Sequence, residues 1–163
     1  KHEGDWYYEQ LDLGLNYRMT EMQAALGCSQ MSRLDTFVSK RNKHASFYHN
    51  ALSGLAVALP VKDSSIYSSY HLFIIKLESQ CPAQRRIIFD FMRKNDIGVN
   101  VHYIPIHLQP FYKKLNFNKG DFPVAEVYYD STISIPLYSN ISQASLNKVA
   151  RTLSEAINFA NES

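Results

Sequence analysis

Hydrophobic and polar positions change period several times along the chain. Residues 1–19 mix aromatic and polar side chains around Gly4 and Gly14 and show no repeat. From Thr20 onward the spacing turns helical, with apolar residues at Met22, Leu26, Met31, Leu34 and Val38. Thr20 and Gln23 form a capping box, in which the hydroxyl and the amide each satisfy a backbone N–H left over by the first turn. A more polar continuation through Phe47, Tyr48 and Leu52 to Gly54 predicts one helix of roughly thirty residues, or two joined ones. Such an element suits a bridge between domains or subunits better than the interior of a small domain.

Beyond Gly54 the period shortens. Residues 55–60 predict a short strand, and the β-rich apolar run 70–77 predicts the central strand of a sheet. Pro82 opens a helix, since its missing N–H is harmless in a first turn. Ile87, Ile88, Phe91 and Met92 give that helix its apolar face, and Gly98 reads as the stop signal near its end. Ile97, Val99, Val101 and Tyr103 then fall on one side, with Gly98, Asn100 and His102 on the other, as in a strand with a wet face. A connection rich in proline and aromatics covers residues 104–121. Asp121 is placed to cap a helix of about ten residues starting near Pro123. Residues 133–136 predict a short edge strand, and Ser142 caps a last helix carrying Leu146, Val149, Leu153, Ile157 and Ala160. Past residue 54 the pattern is that of an α+β fold, a small sheet covered by helices on one face.

Composition narrows the function classes. The 163 residues suit one core, and 45% hydrophobic with 20% charged residues is the balance of a globular protein. A net charge of +2 is too weak to argue for nucleic acid or an anionic membrane as partner. The longest apolar run, residues 72–75, is far short of the roughly 18 residues that span a bilayer. With only Cys28 and Cys81, far apart, no disulfide framework or structural zinc is expected, and the cytoplasm is the expected location. Aromatic residues, however, reach 13% and gather in loop-like stretches, which suits either a cap over a small core or a contact surface.

Candidate chemistry is confined to a few places. His102 and His107, and likewise His44 and His49, stand five residues apart without a carboxylate or cysteine at ligand spacing, so no metal is expected. The basic run 40–44 reads as a solvated helix face. Asn16-Tyr17-Arg18, just ahead of the capped helix, offers several N–H donors and a fixed positive charge, suited to a phosphate or carboxylate, though such residues also serve as caps and surface charge. Residues 98–107 carry two histidines and a tyrosine from a strand end into a loop, where binding sites are commonly built.

These same segments carry a resemblance. WYYEQ at 6–10, LGLNYRMTEMQAALG at 13–27 with Gln30 and Leu34-Asp35, GVNVHYIPIHLQPFY at 98–112, GDFPVAE at 120–126 and SIPL at 134–137 resemble, in order, the DegT/DnrJ/EryC1/StrS aminotransferase family. The resemblance implies the aspartate-aminotransferase architecture (PLP fold type I). Residues 1–54 would end the large-domain region and supply a long bridging helix, and residues 55–163 would form the small C-terminal domain. It implies pyridoxal 5′-phosphate (PLP) as cofactor, L-glutamate as amino donor and a homodimer with shared active sites. The 6–10 and 98–112 blocks point within the family to amination at C4 of a UDP-linked 4-keto-6-deoxy sugar on the route to pseudaminic acid. Asn16 matches the asparagine that reaches the cofactor phosphate of the neighbouring subunit. Arg18, His102, Tyr103 and Ile104 match positions that order or line the substrate end of the site, with His107 a further candidate. The lysine that carries the cofactor as a Schiff base has no match here and is expected upstream of residue 1, so that the isolated chain is expected to be inactive. The alternative is a non-catalytic dimerisation or regulatory module derived from such an enzyme. Leu15 departs from the pattern, standing where relatives often have tyrosine.

Overall fold

Thr20 opens the first helix, α1 (Glu21–Met31), by the predicted reciprocal pair: its hydroxyl accepts from the Gln23 N–H at 3.3 Å, and Gln23 Oε1 accepts from the Thr20 N–H at 3.0 Å. The computed structural model describes residues 14, 15, 17–78 and 82–162. Ser32 stops α1, its N–H reaching the Cys28 carbonyl and its hydroxyl donating to the Ser29 carbonyl. Helix α2 (Leu34–Ala51) follows directly, so the long helical stretch is two helices separated by Ser32 and Arg33. The chain divides into two units, Lys1–Leu34 and Asp35–Ser163. In the first, α1 buries none of its residues; Met22 and Leu26 remain 83% and 61% exposed.

The second unit is built on a three-stranded antiparallel sheet, β1 (Val57–Ala58), β2 (Phe73–Leu77) and β3 (Thr132–Ile135), in the order β1-β2-β3. The pairs Phe73↔Ile135, Ile75↔Ile133 and Val57↔Leu77 set six apolar residues on one face, all buried. Residues directly opposite in an antiparallel pair share a face, so this register makes the core side continuous. Against it pack α3 (Pro82–Lys94), α5 (Pro123–Ser131) and α6 (Gln143–Glu162), while a 3₁₀ turn (Ile106–Leu108) and the short α4 (Pro110–Lys113) sit in the long connection. Leu146, Val149, Leu153, Ile157 and Ala160 form the buried stripe of α6, as their spacing predicts, and Ser142 caps it by accepting from the Ser145 N–H at 3.0 Å. Each such aliphatic side chain taken from water stabilises by about 1.5–3 kcal/mol.

Several local expectations change. The strand expected at 55–60 shrinks to two residues. Helix α3 ends at a left-handed Asp96 (φ 59°), not at Gly98. The Asp96 N–H returns to Arg93 O and the Ile97 N–H to Met92 O, closing a Schellman motif over the buried Met92–Ile97 pair. The expected strand from 97 to 103 is reduced to a single bridge, Asn100↔Ser134, on the outer side of β3. Its alternation survives through Val99, but no neighbouring strand continues the ladder. Asp121 does not cap α5. Phe122 occupies the cap position, and the Asp121 carboxylate instead accepts from the Asn118 N–H at 2.8 Å. The basic run on α2 is only in part a solvated face: Arg41 donates to the Tyr70 and His71 carbonyls at 3.0 and 3.2 Å, and Asn42 to Ser68 O at 2.8 Å, tying the approach to β2 onto the helix.

Tyr48 locks α2 to the sheet. Its ring is wholly buried beside Phe73, at 5.2 Å between centroids, and its hydroxyl donates to Pro136 O at 2.8 Å. Burial pushes that hydroxyl's pKa up, which keeps the donor proton in place. Tyr48→Phe preserves the ring and leaves the Pro136 carbonyl without this partner. It is expected to cost about 1–2 kcal/mol, read as a lower urea midpoint at unchanged slope; an unshifted midpoint would show that the bond contributes nothing.

Candidate functional site

In the first unit, the start of α1 borders a groove of about 760 Å³ lined by Tyr17, Arg18, Met19, Gln23, Leu26, Gly27 and Gln30. Arg18 is exposed there, beside the first turn of α1, whose backbone dipole also favours an anion. Asn16 lies outside the described residues.

In the second unit, the chain between Asn100 and Leu108 carries four of the residues singled out by sequence. The Asn100 bridge draws this segment against β3, where His102 Nδ1 lies 2.7 Å from the buried Ser134 hydroxyl. The His102 ring meets Tyr103 edge-on at 4.5 Å. Tyr103 and Ile104 project outward, 72% and 45% exposed, whereas His107 turns in and is buried. Two neighbouring depressions share Pro105, Phe122 and Ala125. One, of about 450 Å³, adds Ile106, His107, Tyr112 and Phe117; the other, of about 600 Å³, adds Tyr103, Asp121, Val124 and Tyr128. Apolar and aromatic walls with a few polar groups at the edge are the usual make-up of a small-molecule site. Among the described residues, no group of three or more His, Cys, Asp or Glu is placed to hold a metal.

His107 and Glu126 form a buried pair that sequence reasoning missed. Glu126 Oε1 accepts from the Gly120 backbone N–H at 2.7 Å and lies 2.8 Å from His107 Nε2. An ionised carboxylate can only accept, so Nε2 carries the proton. Gly120 reaches this geometry at φ +100°, a conformation that side chains disfavour. The available signal was Glu126 in the first turn of a helix opened by Pro123, a position where a carboxylate is favoured, but nothing in the linear order pointed to His107. Ser134 was missed likewise, because it reads as the polar member of an alternating strand.

The Gly120 N–H, followed by the His107 imidazole, holds the Glu126 carboxyl below its ordinary value of 4.5 against the opposing effect of burial. A folded-state pKa below the unfolded one contributes stability that is complete above the unfolded value and is lost as pH falls through the folded one. Glu126→Gln is therefore expected to lower stability at neutral pH and to flatten the fall in stability on acidification below pH 4.5. An acid limb identical to that of the unaltered protein, in denaturant midpoints taken across that range, would contradict this.

The model of the DegT/DnrJ/EryC1/StrS aminotransferase family matches residues 1–154. Spore coat polysaccharide biosynthesis protein SpsC of Bacillus subtilis is 30% identical over 97% of this chain and 42% of its own length. UDP-4-amino-4,6-dideoxy-N-acetyl-beta-L-altrosamine transaminase of Campylobacter jejuni is 31% identical over 91% of this chain and 39% of its own length. The solved PLP-form of Spr1654 from Streptococcus pneumoniae superposes with a TM-score of 0.88 at 26% identity, over 95% of this chain and 40% of that one. The chain thus spans about two fifths of the length of each of these relatives. With a match running from the first residue to 154, across every segment that carried the sequence resemblance, the chain belongs to the DegT/DnrJ/EryC1/StrS aminotransferase family.

Proposed function

We propose that this chain supplies the C-terminal part of a PLP-dependent transaminase that moves the amino group of L-glutamate to C4 of a UDP-linked 4-keto-6-deoxy sugar, on the route to pseudaminic acid, in the cytoplasm. The observation that carries the reading is the 31% identity to the altrosamine transaminase over 91% of the chain, which includes the loop holding His102, Tyr103 and Ile104. In this reading residues 1–54 end the large domain and provide the bridging helices, and residues 55–163 are the small domain. The lysine that anchors the cofactor is carried ahead of residue 1, and residues 1–163 alone are inactive.

Bound PLP supplies an electron sink for the carbon that loses and regains its proton. This chain's own residues bind and orient. The Asn16 carboxamide and the Arg18 guanidinium, at the start of α1, donate to the cofactor phosphate and to the anionic end of the substrate; amide and guanidinium donors suit such oxygens, and the groove at α1 has the matching charge. His102, Tyr103 and Ile104 belong to the loop at the sugar-nucleotide pocket, with Tyr103 in the wall of the larger depression, and His107, a further candidate, lines the smaller one. The exposed Met22 and Leu26 on α1 are the surface a second subunit covers, in a homodimer that completes each site across its interface.

The test uses the full-length gene product with PLP, L-glutamate and a UDP-4-keto-6-deoxy-N-acetylhexosamine. Equal amounts of 2-oxoglutarate and UDP-amino sugar are expected. Asn16→Ala should weaken cofactor affinity about 10- to 100-fold, the worth of a hydrogen bond to a charged group, and His102→Ala should raise KM for the sugar nucleotide. A stable dimer that transfers no amino group to any UDP-keto-sugar would favour the non-catalytic module instead.

A further inference from the structure

Three stretches of chain meet at one oxygen atom. Glu126 Oε1 takes the Gly120 N–H from the connection ahead of α5 and the His107 N–H from the 3₁₀ turn, while Glu126 itself belongs to the first turn of α5. Phe122, between Gly120 and Glu126, packs tilted against the His107 ring at 4.8 Å between centroids and forms a wall of both depressions. Further walls come from the same tied segments, Pro105 and Ile106 beside His107 and Ala125 beside Glu126, while Tyr112 and Phe117, from the chain between them, complete the smaller depression. Glu126 is 7% exposed and lines neither depression. Whatever it does for a ligand there, it does through the segments it holds.

We propose that Glu126 is a positioning residue for the sugar-bearing substrate: by tying the 105–108 turn to the start of α5 it sets the width of the apolar depressions, and so governs the acceptor half of transamination and not the donor half. The inference rests on the transaminase reading above. Transamination runs in two halves that share one reacting centre and differ in the second substrate. Glutamate is small and charged and has no use for walls of Pro105, Ile106, Phe117 and Phe122; a sugar nucleotide is large enough to lie across them. A displacement of about 1 Å in such walls is sufficient to misplace the reacting carbon and lower the rate as much as 10²-fold.

Two substitutions separate this role from a merely structural one. Glu126→Leu keeps the bulk and removes the acceptor; Glu126→Gln keeps a neutral acceptor of the same reach. In the full-length enzyme, Glu126→Leu is expected to raise KM for the UDP-keto-sugar about tenfold or more, while the single-turnover rate of amino transfer from glutamate, followed by the cofactor's absorption, stays within about twofold. Glu126→Gln should restore most of the sugar KM. Should Glu126→Leu not fold, Glu126→Asp draws the same carboxylate back by one methylene from Gly120 and His107 and is read the same way. Both halves falling in step, or an unchanged sugar KM, would overturn the positioning role while leaving the transaminase reading intact. An unaltered enzyme that transfers no amino group would remove that reading and this inference with it.

Discussion

Strand β2 is the constraint on which the second unit depends. It is five residues long and paired on both sides, so its two-residue alternation decides which face every neighbour can use. Phe73, Ile75 and Leu77 point one way and fix the apolar faces of β1 and β3 through their register. A slip of one residue in that pairing would turn Ile74 and Lys76 toward the core. Tyr48 adds a directional bond to this apolar contact, and its placement beside Phe73 fixes where α2 lies along the sheet. The loop carrying His102 begins at the edge of the same sheet, so the candidate site takes its footing from β2 through β3.

What could be read along the chain was whatever depends on residues close in sequence. The Thr20–Gln23 capping box, the stripe of α6 and the apolar run of β2 are local patterns, and all appear in the structure. The misses have more than one physical cause. Asp96 rather than Gly98 turns the chain after α3, because closing the Schellman bonds over Met92 and Ile97 outweighs the modest cost of a left-handed aspartate. Asp121 and Glu126 both lie near the start of α5, but Asp121 turns back to Asn118, so the carboxylate that matters for the loop is Glu126. The His107–Glu126 and His102–Ser134 contacts span 19 and 32 residues, separations at which composition and period carry no information. The family pattern named segments; it did not say which of their side chains hold one another.

The candidate site residues follow two styles of construction. Tyr103 and Ile104 are displayed outward, while His102 and His107 are each restrained by a polar partner behind them, Ser134 and Glu126. Over six residues two displayed side chains lie between two restrained ones, which allows a rigid backbone to present adaptable side chains. Loops that bind well are commonly built this way, their precision coming from elements beneath them.

That α1 buries none of its residues bears on how firmly this segment holds its shape. Eleven residues are too few for a helix to sustain itself in water, since the cost of nucleation is recovered only over longer spans or by packing. Its cap contributes only about 1 kcal/mol, and its apolar side chains contribute nothing until something lies against them. Its own hydrogen bonds and cap therefore leave α1 marginal, and any surface that came to cover Met22 and Leu26 would order the helix in the same step that buries them.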